Sequence, residues 1–455
     1  MTARPDAEGA SLTRDALPPE ISAMRLSSVR SLLGITLVLS LTTPAPTAAE
    51  LEHKPDDPRF EKFQPRKAPQ PAGLVLKQGD RLAIIGDSIT EQKQYSRIME
   101  TYLTVCVPEL QITARQYGWG GETAPGFLGR MTNDCLTFKP TIATTCYGMN
   151  DHGYRAFSPD VGERYRKAST AIVQSFKIHG VRVIQGSPGS VGWSGDANAE
   201  AKNLSLCELR HIGMDIAAKE NVGFADVFWP MLTAGVEGQK RYAPAYAISG
   251  GDRVHPGGAG HLVMAYAFLK SFGLDGDLGT FTVDLKADRA TATKGHEVLS
   301  AKDGEVKLKS SRYPFCATGD VKSDGSIRSG MSLVPFNQEL NRLTLVVKNG
   351  SASKYKVTWG AESRSYSAEQ LAKGINLADD FVANPFADAF NKVDGAVAAK
   401  QGYETHQIKS MFHGPEFRAE PETIIALTEK FRTPLANAIK TAFVPVTHTL
   451  KIMAE

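Results

Sequence analysis

From Leu82 to Leu269 the chain alternates short apolar runs with stretches of helical period, and that alternation restricts the fold more than any other property. Leu82-Ala83-Ile84-Ile85 reads as a strand. A helical stretch after Glu91 places Tyr95, Ile98, Met99 and Tyr102 on one face. Further strands are expected over Gln111 to Tyr117, Ile142 to Tyr147, Val181 to Gln185 and Val222 to Phe228. Helices are expected over Val161–His179 and Glu200–Lys219, with a last one following Pro256. Strands alternating with helices imply a parallel sheet covered on both faces. In such a sheet, ligand crevices form at the carboxyl ends of the strands.

Of four short blocks, the first three each follow the carboxyl end of an expected strand, and the fourth precedes the last helix. They are Gly86-Asp87-Ser88-Ile89, Gly120-Gly121-Glu122-Thr123, Gly148-Met149-Asn150-Asp151 and Asp252-Arg253-Val254-His255. Together they supply the parts for acyl transfer through a serine. Ser88 is a hydroxyl in the turn before a helix, where the helix amino terminus favours negative charge. His255 has a carboxylate three positions before it and a Pro-Gly-Gly helix entry behind it. Asp252 can fold back to hold the imidazole. The amides of Ser88 and Gly121 and the side-chain nitrogen of Asn150 are candidate oxyanion donors. Gly121 permits close backbone approach, and Gly120 would suffice for a plain tight turn. His261 reads as helix packing, and no third ligand accompanies His255 and His261 to make a zinc site. Trp119 could stack on a sugar ring or pack against the sheet.

These residues resemble the SGNH hydrolases, also called the GDSL esterase family. The lettered positions match as Ser88, Gly121, Asn150 and His255, with Asp252 completing the triad. The resemblance spans roughly residues 75–275. Its second block reads Tyr117-Gly118-Trp119-Gly120-Gly121, where many members carry an asparagine shortly before the glycines. It implies a flavodoxin-like three-layer α/β fold and ester hydrolysis without metal or cofactor. With its carboxyl-terminal extension the chain looks like exported bacterial members grouped with carbohydrate esterases. The implied substrate is a small acyl ester, above all acetyl groups on a polysaccharide. Competing readings are a lipase, lysophospholipase or thioesterase of the same fold, or a non-catalytic glycan-binding surface protein. The chain offers no long apolar lid, which disfavours long-chain lipids.

From Met24 a basic start leads into an apolar stretch, Leu32 to Leu41, and then Thr47-Ala48-Ala49. This pattern reads as a secretory signal peptide beginning near Met24, so the mature protein is expected to be exported. The apolar stretch is too short for stable membrane insertion. A net charge of +3 spread over 455 residues argues against a nucleic-acid partner. The five cysteines show no C-x-x-C spacing and read as small buried residues.

After Leu278 the texture changes. Phe281-Thr-Val-Asp-Leu, Glu305-Val-Lys-Leu-Lys, Leu343-Thr-Leu-Val-Val, Tyr355-Lys-Val-Thr-Trp and Val446-Thr-His-Thr-Leu-Lys-Ile alternate like half-buried antiparallel strands, with Asn349-Gly350 as a hairpin turn. One helix is expected from Asn384-Pro385, with Phe386, Phe390, Val393 and Val397 as its stripe. Another is expected near Thr423–Phe443, bent at Pro434. The resulting plan is an extension and leader over 1–49, a linker over 50–72, the hydrolase domain over 73–278, and a β-sandwich-like domain with a helical insertion over 279–455.

Overall fold

Each apolar run marked between Leu82 and Phe228 becomes a strand of one sheet. In the computed structural model, which describes residues 50–293 and 295–455, these strands are β1 (Arg81–Gly86), β2 (Thr113–Gln116), β3 (Ile142–Cys146), β4 (Arg182–Gly186) and β5 (Gly223–Ala225). The leader expected near Met24 lies outside the described residues. All five strands run parallel, in the order β2-β1-β3-β4-β5. The helices between them are α1 (Ser88–Glu91), α2 (Tyr95–Val105), α3 (Ala124–Asp134), α4 (Pro159–Ile178), α5 (Ala199–Glu220), α6 (Phe228–Arg241) and α7 (Gly258–Ser271). Alternate side chains of a strand point to opposite faces, and here each face has its own core. Leu82, Ile84 and Ile142 join α2, α6 and α7 on one side. Ala83, Ile85, Ala143 and Val183 join α3, α4 and α5 on the other. This is the expected three-layer α/β arrangement.

Two differences concern local structure. The strand expected over Val222 to Phe228 is shorter: β5 ends at Ala225 and α6 begins at Phe228, its first turn capped by Ser187, whose Oγ accepts from the N–H of Val227 and Phe228, both at 2.9 Å. The lead-in over residues 50–72 is not free chain. Phe60 and Phe63 are buried against Trp229 and Phe228, and Arg66 pairs with Asp215.

The carboxyl-terminal strands are β6 (Asp277–Asp284), β7 (Arg289–Ala292), β8 (His296–Lys302), β9 (Glu305–Ser310), β10 (Arg342–Lys348), β11 (Lys354–Trp359), β12 (Glu362–Ser367), β13 (Ile375–Asn376) and β14 (Val446–Ala454). They form a four-stranded sheet, β13-β10-β6-β7, and a five-stranded sheet, β12-β11-β14-β9-β8. Their inward residues, among them Phe281, Leu345, Leu308, Trp359 and Leu450, share the core that also covers α2 and α7. Two expectations are corrected here. β6 and β10 pair in parallel, because the chain between them passes through β7, β8 and β9 and then the short helices α8 (Ile327–Leu333) and α9 (Phe336–Glu339) rather than a tight turn. Asn349-Gly350 is no hairpin, since β10 and β11 lie in different sheets. Asn349, at φ +55°, donates to Asp284 and redirects the chain from one sheet to the other.

Short helices α10 (Ala368–Lys373) and α11 (Leu377–Asp380) precede the long α12 (Ala387–His406). That helix begins slightly later than Asn384-Pro385, with the Asn384 side chain accepting from Phe386 N–H. A π-helical turn, Gln407–Met411, and α13 (Pro415–Ala419) lead into α14 (Pro421–Ala442), which contains Pro434. This helical group covers the free edge of β2. Lys400 and Arg432 donate to the Ala114 carbonyl, and Glu404 accepts from Gln116 N–H. Lys400 also pairs with Glu100 (2.8 Å) and Glu404 (3.0 Å), while Arg115 reaches Glu429 (2.9 Å). Burial pushes the Glu404 carboxyl up, but Lys400, Arg432 and Arg115 outweigh it and hold the group below its ordinary value. An open strand edge is a template for unwanted pairing; here charged side chains occupy it. The described residues fold as one compact unit, and none of their helices is long and apolar enough to cross a membrane.

Candidate active site

Ser88 is the first residue of α1, directly beyond the end of β1. The turn that places it needs Gly86, because a β-carbon there would meet the Cys146 carbonyl at 2.9 Å. Asp87 caps the helix, accepting from Ile89 N–H at 2.9 Å. Ser88 Oγ lies 2.7 Å from His255 Nε2, and His255 Nδ1 lies 2.6 Å from Asp252 Oδ2. A carboxylate accepts, so Nδ1 carries the proton and Nε2 is left to receive one from the serine. The other Asp252 oxygen accepts from the N–H groups of Val254 (2.9 Å) and His255 (2.8 Å). Burial raises the Asp252 carboxyl, yet those N–H groups and the imidazole outweigh it and hold the group below its ordinary range. The three sequence-predicted residues therefore meet in one hydrogen-bonded line.

The turn carrying Asp252 is conformationally demanding. Gly250 has φ +77°, and a β-carbon there would strike the His255 carbonyl. Arg253 also sits in the left-handed region, at φ +72°, where a non-glycine residue is strained. Its Nε donates to the Ser194 carbonyl at 2.8 Å, which anchors the turn. His261 is a packing residue: buried, stacked on Tyr95, and bonded to Gln92 at 2.7 Å. Burial lowers its pKa to about 3, so it stays neutral.

The glycine turn after β2 lies against α1. Gly118 fits because a β-carbon would clash with the Glu91 backbone, and Trp119 N–H donates to the Gly86 carbonyl at 3.1 Å. Gly120 N–H is occupied by the Glu91 carboxylate. Gly121, at φ +73°, is exposed, and its N–H makes no hydrogen bond among the described residues. Of the two glycines, Gly121 is thus the one with a donor to spare. Asn150 lies in the turn beyond β3. Its Nδ2 donates to the Glu122 carbonyl at 2.9 Å, and its Oδ1 accepts from the Tyr154 hydroxyl at 3.0 Å. These contacts fix the amide's orientation and leave one N–H of Nδ2 uncommitted.

Several supporting residues carried no recognisable sequence signal. Asp151 ties the asparagine turn to the start of α3 by accepting from Gly148 and Ala124 N–H, both at 3.0 Å. Burial pushes its pKa up to about 6 and that of Asp87 up to about 7. Glu122 is clamped by both Nε and Nη2 of Arg130 and by the Tyr147 hydroxyl, each at 2.6 Å. Trp119 is half-buried: the His413 ring centroid lies 4.8 Å away, and Arg130 and Lys409 each sit 5.2 Å from its ring. All five cysteines are buried and unpaired.

Residues 84–263 match the GDSL-like Lipase/Acylhydrolase family. An acetylxylan esterase of Geobacillus stearothermophilus is 25% identical over 220 residues, which is 44% of this chain and 98% of that protein. Among solved structures, a gut microbial diltiazem-metabolizing enzyme superposes with a TM-score of 0.69 at 22% identity. The match covers 85% of this chain and all of that one, so the likeness in fold extends into the carboxyl-terminal region. The crystal structure of Axe2, an acetylxylan esterase of Geobacillus stearothermophilus, matches 44% of this chain and 97% of its own at 25% identity and a TM-score of 0.38.

Proposed function

Because this chain belongs to the GDSL-like lipase/acylhydrolase family and is an ester-hydrolysing enzyme, we propose that it removes acyl groups, chiefly acetyl, from carbohydrate through a Ser88-His255-Asp252 triad. Ser88 attacks the ester carbonyl as His255 takes its proton. Asp252 holds the imidazole and stabilises its charged form. The N–H groups of Ser88, Gly121 and Asn150 receive the developing oxyanion. His255 then protonates the departing sugar hydroxyl. Water, deprotonated by the same imidazole, releases acetate from the acyl-enzyme. The protein would act after export, once the leader near Met24 has been removed.

The unbroken contact from Ser88 Oγ through His255 to Asp252 carries this reading. Exposure of the site speaks for a small acyl group on a bulky alcohol: the Asp252 side chain is 57% and that of His255 33% exposed, and Gly120 and Gly121 are open to solvent. A polymer can approach such a surface. Similarity to an acetylxylan esterase supports the same choice. Incubation with p-nitrophenyl acetate and acetylated xylan, together with fluorophosphonate labelling, tests it. The wild type should be labelled, turn over the ester and release acetate, and Ser88→Ala should do none of these. Equal turnover in Ser88→Ala would refute the mechanism. Acetate release absent from every acetylated glycan tried, with p-nitrophenyl acetate still cleaved, would refute the substrate.

A further inference from the structure

Glu91 joins three parts of the molecule that are far apart in sequence. It lies on α1, one helical turn beyond Ser88. One of its carboxylate oxygens accepts from Gly120 N–H, in the loop that presents Gly121. The other accepts from Lys409 Nζ at 2.8 Å, and Lys409 belongs to the π-helical turn between α12 and α13. Such turns recur where a helix is distorted to place a functional group. Lys409 Nζ also lies 5.2 Å from the Trp119 ring centroid, where a cation is attracted to the ring. Four residues further, His413 touches the same ring and bonds to Asp134 at 2.9 Å, and Asp134 pairs with Arg130, the residue that clamps Glu122. The oxyanion loop is thus gripped from residue 119 to residue 122, and two of the gripping side chains come from the carboxyl-terminal region.

We propose that Glu91 and Lys409 are positioning residues for the oxyanion loop, so that the carboxyl-terminal helical region completes the active site. This rests on the triad and donor assignment above. Two consecutive glycines leave the peptide at 120–121 free to rotate, and rotation would turn the Gly121 N–H away from the reacting carbonyl. Holding Gly120 N–H fixes the 119–120 peptide from which the 120–121 peptide projects, and so narrows the directions the Gly121 N–H can take. A bare carboxylate beside the oxyanion loop would oppose the growing negative charge. Lys409 cancels that charge while keeping the carboxylate in place. The effect belongs to the transition state, so it should appear in kcat rather than KM.

The test is steady-state hydrolysis of p-nitrophenyl acetate by the full chain, with active sites counted by end-point fluorophosphonate titration so that only folded enzyme is compared. Lys409→Met should lower kcat about tenfold with KM unchanged within about twofold, and Lys409→Arg should restore most of the loss. The double variant Glu91→Gln/Lys409→Met should lose less than the product of the two single losses, because no unbalanced charge remains. Should Lys409→Met fail to fold, Lys409→Gln is read in the same way. Unchanged kcat per titrated site in the uncharged Lys409 variant overturns the proposal, as do strictly multiplicative losses. Full turnover by Ser88→Ala would bring down the triad assignment and this proposal together. An inactive Ser88→Ala beside an unaffected Lys409 variant would bring down this proposal alone.

Discussion

Asp87 and Ser88 are neighbours with opposite demands on solvent: the serine must reach the crevice, and the aspartate is buried as a helix cap. Burial first, helped by Asp151 and Glu122 nearby, lifts the Asp87 pKa from 3.8 to about 7 against the Ile89 N–H and His255. Between those values the folded protein retains a proton that the unfolded chain has lost, so stability falls as pH rises through that window. Asp151, raised to about 6, acts in the same direction. Asp87→Asn should therefore flatten the dependence of stability on pH between about 4 and 7, as read from urea midpoints at pH 5 and pH 8. A slope as steep as that of the wild type would contradict the raised value. At the proposed oxyanion site, Asn150→Ala should cost about 10²–10³ in kcat with little change in KM. Tyr154→Phe should cost less, since it frees the Asn150 amide to turn without removing it. The five candidate positions could be picked out because acyl transfer demands particular side chains in a particular order. Their supports could not: Glu91 is an ordinary charged residue whose partners Gly120 and Lys409 are distant in sequence, and no local spacing betrays that.

At the level of elements, strand periodicity transferred well because the sheet's two faces are both buried, so every apolar run had to be internal. Helix α3 escaped notice because Ala124-Pro125-Gly126 at its start reads as loop, and its apolar face is short. The parallel pairing of β6 with β10 escaped for a different reason. Alternation along a strand reports which face is buried and says nothing about the direction of its neighbour. The edge of β2 provides a direct test of element packing. Lys400 is fully buried between two carboxylates and a carbonyl. Lys400→Met should destabilise the protein by about 3–5 kcal/mol in equilibrium urea unfolding, since it leaves Glu100 and Glu404 buried without their shared cation. A loss below about 1 kcal/mol would mean that water, rather than the lysine, satisfies those groups.

Across the whole molecule, the core that covers α2 and α7 continues without a break into the carboxyl-terminal sheets. A chain ended near Leu278 would expose that face and the β2 edge together, so it should be recovered mainly as aggregate in size-exclusion chromatography, whereas the full chain elutes as a folded species. The sequence distinguished the two textures on either side of Leu278, because parallel buried strands and half-exposed strands differ in pattern. The shared core was beyond its reach, since contacts between separated segments leave no periodic trace.

The carbonyl of Ala114 waits for a lysine 286 positions downstream. At a synthesis rate of about 5–20 residues per second, the nascent sheet spends roughly 15–60 s with that border unsealed. During this interval the border is open to pairing with other chains. The last fifth of the polypeptide thereby sets the moment at which a strand in the second fifth becomes safe from its neighbours on the ribosome.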